Sequence, residues 1–233
     1  MRLDFYTTTI QANVVKERDH LESAYDRYPD ATRFWCFIDL VSSSNYRICR
    51  GPKEGYIRSE TFFSLIRNVI TPCDDIHYIN EIGDAVLLSS ASFRPMFECL
   101  VLIDQVARQM ASLFGDERYP FAIRGAIGFG TAKRLVRLNE AFVGTSIDLL
   151  SRIMSVRSDA INLYLHEDAY RSSREIVGEY SDFISLSEPK MLSQDVSKGI
   201  LVDVCYREIN VDSEELLRFQ EFFIPWRDAA MKR

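Results

Sequence analysis

Short apolar segments alternate with amphipathic ones along most of this chain. Residues 33–41 form an apolar run typical of a buried strand, and the segments IHYINEI and AVLLSS alternate with the period of strands on either side of Gly83-Asp84. A glycine-containing pair between two strands predicts a β-hairpin with a tight turn. Apolar residues recur at helical spacing over 59–70, behind a possible Ser59 cap, and over a longer segment that Pro95 opens.

The second half of the chain predicts a similar mixture. FAIRGAIGFGTAKRLVRL suggests two strands joined by a glycine-rich bend, GTSIDLLSRIMSVR a helix after Gly144, and AINLYLH a strand. Residues 176–211 read as irregular with late strands, and helices are expected over 16–28 and from 213 onward. The order predicts an α/β (α+β) ferredoxin-like core, a mainly antiparallel sheet with helices on one face. We expect a domain over 31–207 between helical extensions at 1–30 and 208–233.

Composition narrows the classes of function. The chain has 233 residues, 47% of them hydrophobic and 27% charged, with a net charge of −6, which disfavours a protein that coats nucleic acid by charge. No apolar run is long enough for a bilayer and no signal-peptide core is visible, so we expect a cytoplasmic protein without a membrane partner. The five cysteines include no CxxC pair, which favours buried reduced thiols, and Cys73 with His77 lacks the second pair of a zinc site.

Two carboxylates stand out against this background. Asp39 ends the first predicted strand and Asp84 lies in the hairpin turn. In a ferredoxin-like sheet these strands are neighbours, so the two side chains would converge at one end of the sheet. Two converging carboxylates repel each other unless a proton or a divalent cation lies between them, and oxygen ligands suit Mg²⁺ or Mn²⁺.

Three serines, Ser42 to Ser44, follow the first carboxylate. Small side chains and closely spaced backbone N–H groups where a helix begins make a phosphate cradle. Taken singly, an Asp before Ser is commonly a helix cap and a Gly-Asp pair is commonly a turn. Together they favour a metal-dependent site for a nucleoside triphosphate.

At these residues the sequence resembles the class III nucleotidyl cyclases, over roughly residues 33–206. FIDLVSSS is similar to their first metal motif, INEIGDAVL to their second, and IRGAIGFG to their R-x-G-x-x-x-G element. VGTSIDLLSRI is similar to G-x-x-V-N-x-A-x-R, with Asp148 at the Asn position and Arg152 at the Arg position. SKGILVDVCY is similar to the late Lys-Gly strand and places Lys198 at the phosphate-binding lysine.

The resemblance implies a role for each matched residue. Asp39 and Asp84 would bind two Mn²⁺ or Mg²⁺ ions with help from the Leu40 carbonyl, and a 3′,5′-cyclic nucleotide and pyrophosphate would be formed by two-metal catalysis. Arg152 would stabilise charge on the phosphoryl oxygens, and Asp148 would orient the ribose in place of the usual Asn. The family places the aspartates and the Arg on opposite subunits, which implies a homodimer with two composite sites. Arg124 is more readily interpreted as a pairing residue within the sheet.

The base-reading positions depart from the purine cyclases. Asn80 stands where they have a Lys, three residues before Gly83, and Ala141 occupies the second discriminating position. A short amide suits a pyrimidine edge because it both donates and accepts. Tyr46 is a candidate to pack on the base, although a tyrosine at such a position is more often exposed or part of the core. These departures resemble the pyrimidine cyclases of bacterial anti-phage (Pycsar) systems, which implies cyclic UMP or cyclic CMP as product, with UTP favoured as substrate, and a separate effector protein.

Other functions remain open on the sequence. An adenylate or guanylate cyclase with unusual base contacts is one alternative, and an inactive cyclase-like dimerisation or nucleotide-binding module is another. A diguanylate cyclase or palm-type polymerase relative is disfavoured, because EIGDAV is not the G-G-[DE]-E-F-like hairpin that such a protein needs.

Overall fold

A nine-stranded sheet organises the protein. The computed structural model describes residues 10–16, 18–20, 22, 30–115, 117–135, 141–155, 162–197 and 200–212. The strands are β1 (Asp30–Leu40), β2 (Ile76–Ile82), β3 (Ala85–Ser90), β4 (Ile123–Leu135), β5 (Ala141–Val143), β6 (Leu163–His166), β7 (Ile184–Leu186), β8 (Lys190–Ser197) and β9 (Ile200–Val211). The helices are α1 (Ser43–Arg50), α2 (Pro52–Ile70), α3 (Phe93–Gln109), α4 (Thr145–Ser155) and α5 (Glu167–Glu179).

The sheet is mainly antiparallel, as predicted. Its order is β2-β3-β1-β4-β6-β9-β7, with β5 paired to β4 and β8 to β9. The pairing of β4 with β6 is parallel, whereas β1 is antiparallel to both of its neighbours, β3 and β4. The strand that carries Asp39 is therefore central and is flanked by the predicted hairpin.

Helices cover both faces of the sheet, so the expectation of helices on one face is wrong. Alternate residues of a strand point to opposite faces. Phe34, Cys36 and Ile38 pack on the face covered by α2, α3 and α5, here called the first face. Trp35 packs with Leu150 of α4 on the opposite, second face.

Strand β4 is continuous, so the predicted glycine-rich bend within residues 121–138 is wrong. Its glycines serve close helix approach on both faces. A Cβ atom on Gly125 would collide with Leu100 of α3, and one on Gly128 would lie 3.0 Å from Leu150 of α4. These glycines are therefore required by the close packing of helices on the strand and not by a turn.

Other elements differ from the sequence prediction at their ends. Helix α2 begins at Pro52 rather than behind Ser59, because Gly51 ends α1 and Pro52 occupies the first helical turn. Helix α3 begins two residues before Pro95, at Phe93. The amphipathic helix α5 was not predicted. The late strands expected within residues 176–211 are present as β7, β8 and β9.

Two predicted helices lie largely beyond the described residues. Residues 10–16, 18–20 and 22 are helical, but most of the segment 16–28 and all of 213–233 fall outside them. The expected domain limits therefore remain predictions. Within the part of the chain that the structure describes, no helix combines the length and apolar character needed to cross a bilayer.

Candidate functional site

The two predicted metal-binding aspartates converge at one end of the sheet. Asp39 is the penultimate residue of β1 and lies opposite Ala85, the residue that follows Asp84 in the hairpin. The backbone N–H of Leu40 donates to the carbonyl oxygen of Asp84 at 3.3 Å, which ties the end of β1 to the turn. Gly83 has φ 68°, a left-handed conformation that suits glycine and closes this turn tightly.

Asp39 is buried and shares its environment with two charges. The residue is 8% exposed. The guanidinium of Arg124, opposite it on β4, donates from Nε to Oδ2 at 2.7 Å and from Nη2 to the same oxygen. Burial raises the pKa of the Asp39 carboxyl above its ordinary value, Arg124 opposes that rise, and the Asp84 carboxylate adds to it.

The loop after β1 carries the three serines around a left-handed residue. Ser42 has φ 56° and ψ 24° at the N-cap of α1, and it is the one described non-glycine residue with positive φ. Ser43 is buried and Ser44 is exposed. The N–H of Val41 donates to the carbonyl of Ala122 at 3.0 Å, which holds the loop against β4. The serines therefore begin a helix beside Asp39, as predicted.

A buried arginine supports this loop, and the sequence interpretation missed it. Arg58 of α2 is 1% exposed and donates from Nη2 to the carbonyls of Val41, at 3.1 Å, and Pro120, at 2.8 Å. The spacing could have revealed it, since Arg58 occupies the same helical stripe as the buried residues Phe62, Leu65 and Val69.

Tyr46 is not available as a surface for a base. Its ring is 2% exposed and lies under the Arg58 guanidinium, whose carbon is 4.6 Å from the ring centroid. Phe114 and Tyr119 pack edge-on against it at 6.1 and 6.2 Å. The structure thus places Tyr46 in the core behind the loop, and we remove it from the candidate site.

Asn80 reaches the second face through a β-bulge. The pairing of β2 with β3 shifts between Tyr78 and Asn80, and Asn80 lies opposite Leu87, whose side chain packs on the second face. Asp39 also points to this face, by its alternation with Ile38 and Leu40. The Oδ1 atom of Asn80 is buried and has no hydrogen-bond partner among the described residues. An acceptor left in that state costs free energy unless a ligand or water supplies a donor.

The remaining predicted residues are more scattered. Asp148 is exposed and Arg152 half-buried on α4, over the second face. Ala141 pairs with Leu135 where β5 meets β4. Lys198 lies outside the described residues.

The oxygen ligands at this site suit hard divalent cations whose coordination is completed by water or substrate. Among the described residues, no cluster of three or more His, Cys, Asp or Glu side chains could hold a metal ion. Asp39 and Asp84 offer carboxylate oxygens and Leu40 a backbone carbonyl. Mg²⁺ and Mn²⁺ accept such incomplete oxygen sites because water and substrate phosphates complete their coordination.

Comparisons with solved structures identify the fold. The catalytic core of a rhodopsin-guanylyl cyclase with converted specificity, in complex with ATPαS, superposes with a TM-score of 0.60 at 14% identity, covering 78% of this chain and 98% of that one. The guanylate cyclase domain of RhGC from Catenaria anguillulae, in complex with GTP, gives 0.59 at 15% identity, covering 79% and 99%. The adenylyl cyclase CyaB from P. aeruginosa gives 0.59 at 14% identity, covering 78% and 96%.

The sequence itself carries a weaker signal. No protein-family model matches it, and no curated protein does. The solved structures that superpose on the chain nevertheless agree with one another, since each is a guanylyl or adenylyl cyclase. The chain has the fold of the class III nucleotidyl cyclase catalytic domain.

Proposed function

We propose that this protein is a nucleotidyl cyclase that converts a pyrimidine nucleoside triphosphate, UTP before CTP, to its 3′,5′-cyclic nucleotide and pyrophosphate. The observation that carries the proposal is the convergence of Asp39 and Asp84, joined by the bond from Leu40 N–H to the Asp84 carbonyl. The fold, shared with cyclases whose structures contain GTP or ATPαS, supports it.

The reaction is an intramolecular displacement. The ribose 3′-oxygen attacks the α-phosphorus and loses its proton to solvent, while the bond from the α-phosphorus to the bridging oxygen breaks and pyrophosphate leaves. Two Mn²⁺ or Mg²⁺ ions, when bound, would acidify the 3′-hydroxyl and neutralise triphosphate charge. Asp39, Asp84 and the Leu40 carbonyl would hold them. The loop at Ser42–Ser44 offers backbone N–H groups to the phosphates.

The proposed site is shared between two subunits. Arg152 of the partner subunit would stabilise the charge that develops on the phosphoryl oxygens, and Asp148 of the partner subunit would orient the ribose. The resemblance to the class III cyclases, which place the aspartates and the arginine on opposite subunits, supports a role across a dimer. Lys198 would bind the triphosphate.

Asn80 is the basis for proposing a pyrimidine. Its buried Oδ1 lacks a partner among the described residues, so a base that donates a hydrogen bond there relieves a cost already present. Uracil offers N3–H and cytosine its amino group, and Ala141 stands at the position where the purine cyclases have their second discriminating residue. By resemblance to Pycsar cyclases, the product would activate a separate effector in anti-phage defence.

Subunit complementation tests the composite cyclase site. Asp39→Ala, Asp84→Ala and Arg152→Ala should each lose nearly all formation of cyclic nucleotide with Mn²⁺. Asp84→Ala and Arg152→Ala should keep the wild-type melting temperature within a few degrees, whereas Asp39→Ala should fold but melt lower, because it leaves Arg124 without its buried partner. A mixture of Asp39→Ala with Arg152→Ala should regain activity, because mixed dimers contain one intact site. A mixture of Asp39→Ala with Asp84→Ala is the matched control and should stay inactive. Full activity of Asp39→Ala would refute the proposed function.

A further inference from the structure

A cavity of about 700 Å³ lies at the opposite end of the sheet from Asp39. We call it the distal cavity and define it by Arg33, His77, Ile79, Ser89 and Phe142, which line it. It begins near the start of β1, whereas Asp39 stands at the end of that strand. Trp35, two residues after Arg33 on the same face, packs against Phe142 with ring centroids 5.1 Å apart.

Arg33 brings a positive charge to this cavity. Its side chain is half-buried, and no hydrogen bond or ion pair joins it to any residue that the structure describes. The neighbouring cation Lys133, in contrast, pairs with Asp30 at 3.0 Å. A guanidinium carries five donors in a planar fork that matches carboxylate and phosphate oxygens. Part of its hydration is lost here without an ion pair to any described residue in exchange.

Ser89 adds a second polar group without a described partner. It is 2% exposed and lines the cavity, and its hydroxyl bonds to none of the described residues. Ile79 and Phe142 supply apolar walls, and the exposed imidazole of His77 stands at the opening. A cavity with apolar walls and a few convergent polar groups is the usual form of a small-molecule site.

We propose that the distal cavity binds a small organic anion, a carboxylate or phosphate ester with a flat apolar body, whose charged group is bound by Arg33. The body would lie against Phe142 and Ile79, and Ser89 would bond to an oxygen of the ligand. The site does not depend on the cyclase reaction. It does contact the strand that carries Asn80, because Ile79 is the residue at the β-bulge.

One carboxylate at the cavity would repel an anionic ligand. Asp74 also lines the cavity, and it is exposed. Its charge would be screened by solvent, whereas that of the half-buried Arg33 would be screened less. Neutralisation of Asp74 therefore tests the charge of the ligand, since it should strengthen the binding of an anion and weaken the binding of a cation.

Titration of the full chain with benzoate, phenyl phosphate and benzamide, followed by calorimetry or ligand-observed NMR, tests the proposal. At least one anion should bind saturably, and neutral benzamide, the isostere of benzoate, should bind at least about tenfold more weakly because it lacks the charge-assisted bond. Arg33→Gln should weaken anion binding by about ten- to hundredfold, by the same reasoning. Arg33→Lys should retain most of it, and Asp74→Asn should tighten it. Arg171→Gln, an exposed cation on α5, is the control and should change nothing.

The opposite results would overturn the proposal. They are the absence of saturable anion binding, equal binding of benzamide and benzoate, unchanged affinity in Arg33→Gln, or weaker anion binding in Asp74→Asn. Displacement of the bound anion by equimolar UTP with Mn²⁺ would also overturn it, because the cavity would then belong to the nucleotide site. Binding that persists under UTP supports a separate site, and the tighter of the two anions identifies the charged group that it recognises.

Discussion

Arg124 holds Asp39 through two hydrogen bonds to one oxygen, Oδ2. The same guanidinium donates from Nη1 to the carbonyl of Met154 near the end of α4, at 2.9 Å. The candidate metal ligand is thereby fixed to β4 and to the helix that covers the second face. This agrees with the interpretation of Arg124 as a pairing residue within the sheet.

Removal of Arg124 should destabilise the protein substantially. Arg124→Met leaves the Asp39 carboxylate buried without its partner, and we expect a loss of about 2–4 kcal/mol in the free energy of unfolding, since breaking a buried pair usually costs about 3–5 and 15% of the Arg124 side chain is still exposed. Denaturant titration measures this. Arg171→Met should cost less than about 1 kcal/mol, because the Arg171 guanidinium is exposed and Glu167 keeps its second partner, Arg207. The double variant Asp39→Asn/Arg124→Met should lose less free energy of unfolding than the two single variants lose together. If the two losses simply add, Asp39 and Arg124 do not stabilise the protein as a pair.

The serine loop stores backbone strain at Ser42. A left-handed conformation costs an L-residue about 1–2 kcal/mol, part of which glycine gives back through its greater freedom in the unfolded chain. Ser42→Gly should therefore raise stability by about 0.5–1 kcal/mol. Ser44→Gly, two residues on within α1, should lower it by about 0.5 kcal/mol, since glycine is the poorer helix former. A lower melting temperature for Ser42→Gly than for the wild type would contradict the left-handed conformation.

His166 should make stability depend on pH. Its Nδ1 accepts a hydrogen bond from the backbone N–H of Asp168 at 3.2 Å and caps α5, which requires an unprotonated Nδ1. Burial lowers the pKa of His166, although the Asp168 and Glu167 carboxylates oppose that change. The pKa is therefore lower in the folded than in the unfolded chain. The stabilisation is complete above the unfolded value of about 6.5 and is lost as the pH falls from there toward the folded pKa.

The variant His166→Asn isolates this effect. Asn is a good N-cap residue that does not titrate, so the stability of this variant should fall less than that of the wild type between about pH 7 and 5. Unfolding midpoints are measured for both proteins across that range. The difference between the two proteins at each pH isolates His166, because the other titrating groups contribute equally to both. Parallel curves for the two proteins would show that His166 does not titrate differently on folding.

Replacement of Asn80 should lower the activity without lowering the stability. Asn80→Ala removes a buried acceptor that has no described partner, so the melting temperature should stay the same or rise. Pyrimidine turnover should fall by about ten- to hundredfold, the equivalent of one lost hydrogen bond in the transition state. Purine turnover should not appear. A variant that melts markedly lower would show that Asn80 has a structural partner instead.

The sequence predicted what depends on local pattern and failed where tertiary packing decides. The hairpin around Gly83 and the position of Asp39 follow from strand periodicity and turn chemistry. The glycines of β4 resembled a bend because sequence does not tell whether glycine serves a turn or a helix that packs closely against the strand. The left-handed Ser42 carries no local signal, because serine rarely adopts that conformation.

The roles of individual side chains were likewise predictable only where the local sequence pattern determines them. The spacing of Tyr46 from the serines leaves a base contact and a core position both open, and burial by Arg58 and two aromatic rings decides for the core. Arg58 itself stands at an apolar helical position, a mismatch between residue type and pattern that often marks a buried polar contact. The base contact of Asn80 and the subunit that supplies Arg152 depend on a ligand and a partner chain, which one sequence does not contain.

Competition among the four nucleoside triphosphates tests the central claim most directly. Purified protein is incubated with equal concentrations of ATP, GTP, UTP and CTP and with Mn²⁺, and cyclic products are identified by mass spectrometry, with Asp84→Ala as the matched control. We expect cyclic UMP to dominate, cyclic CMP to follow, and the control to form neither. Dominance of cyclic AMP or cyclic GMP would contradict the assignment of Asn80 and Ala141 to a pyrimidine, and no cyclic product from a folded dimer would contradict the cyclase itself.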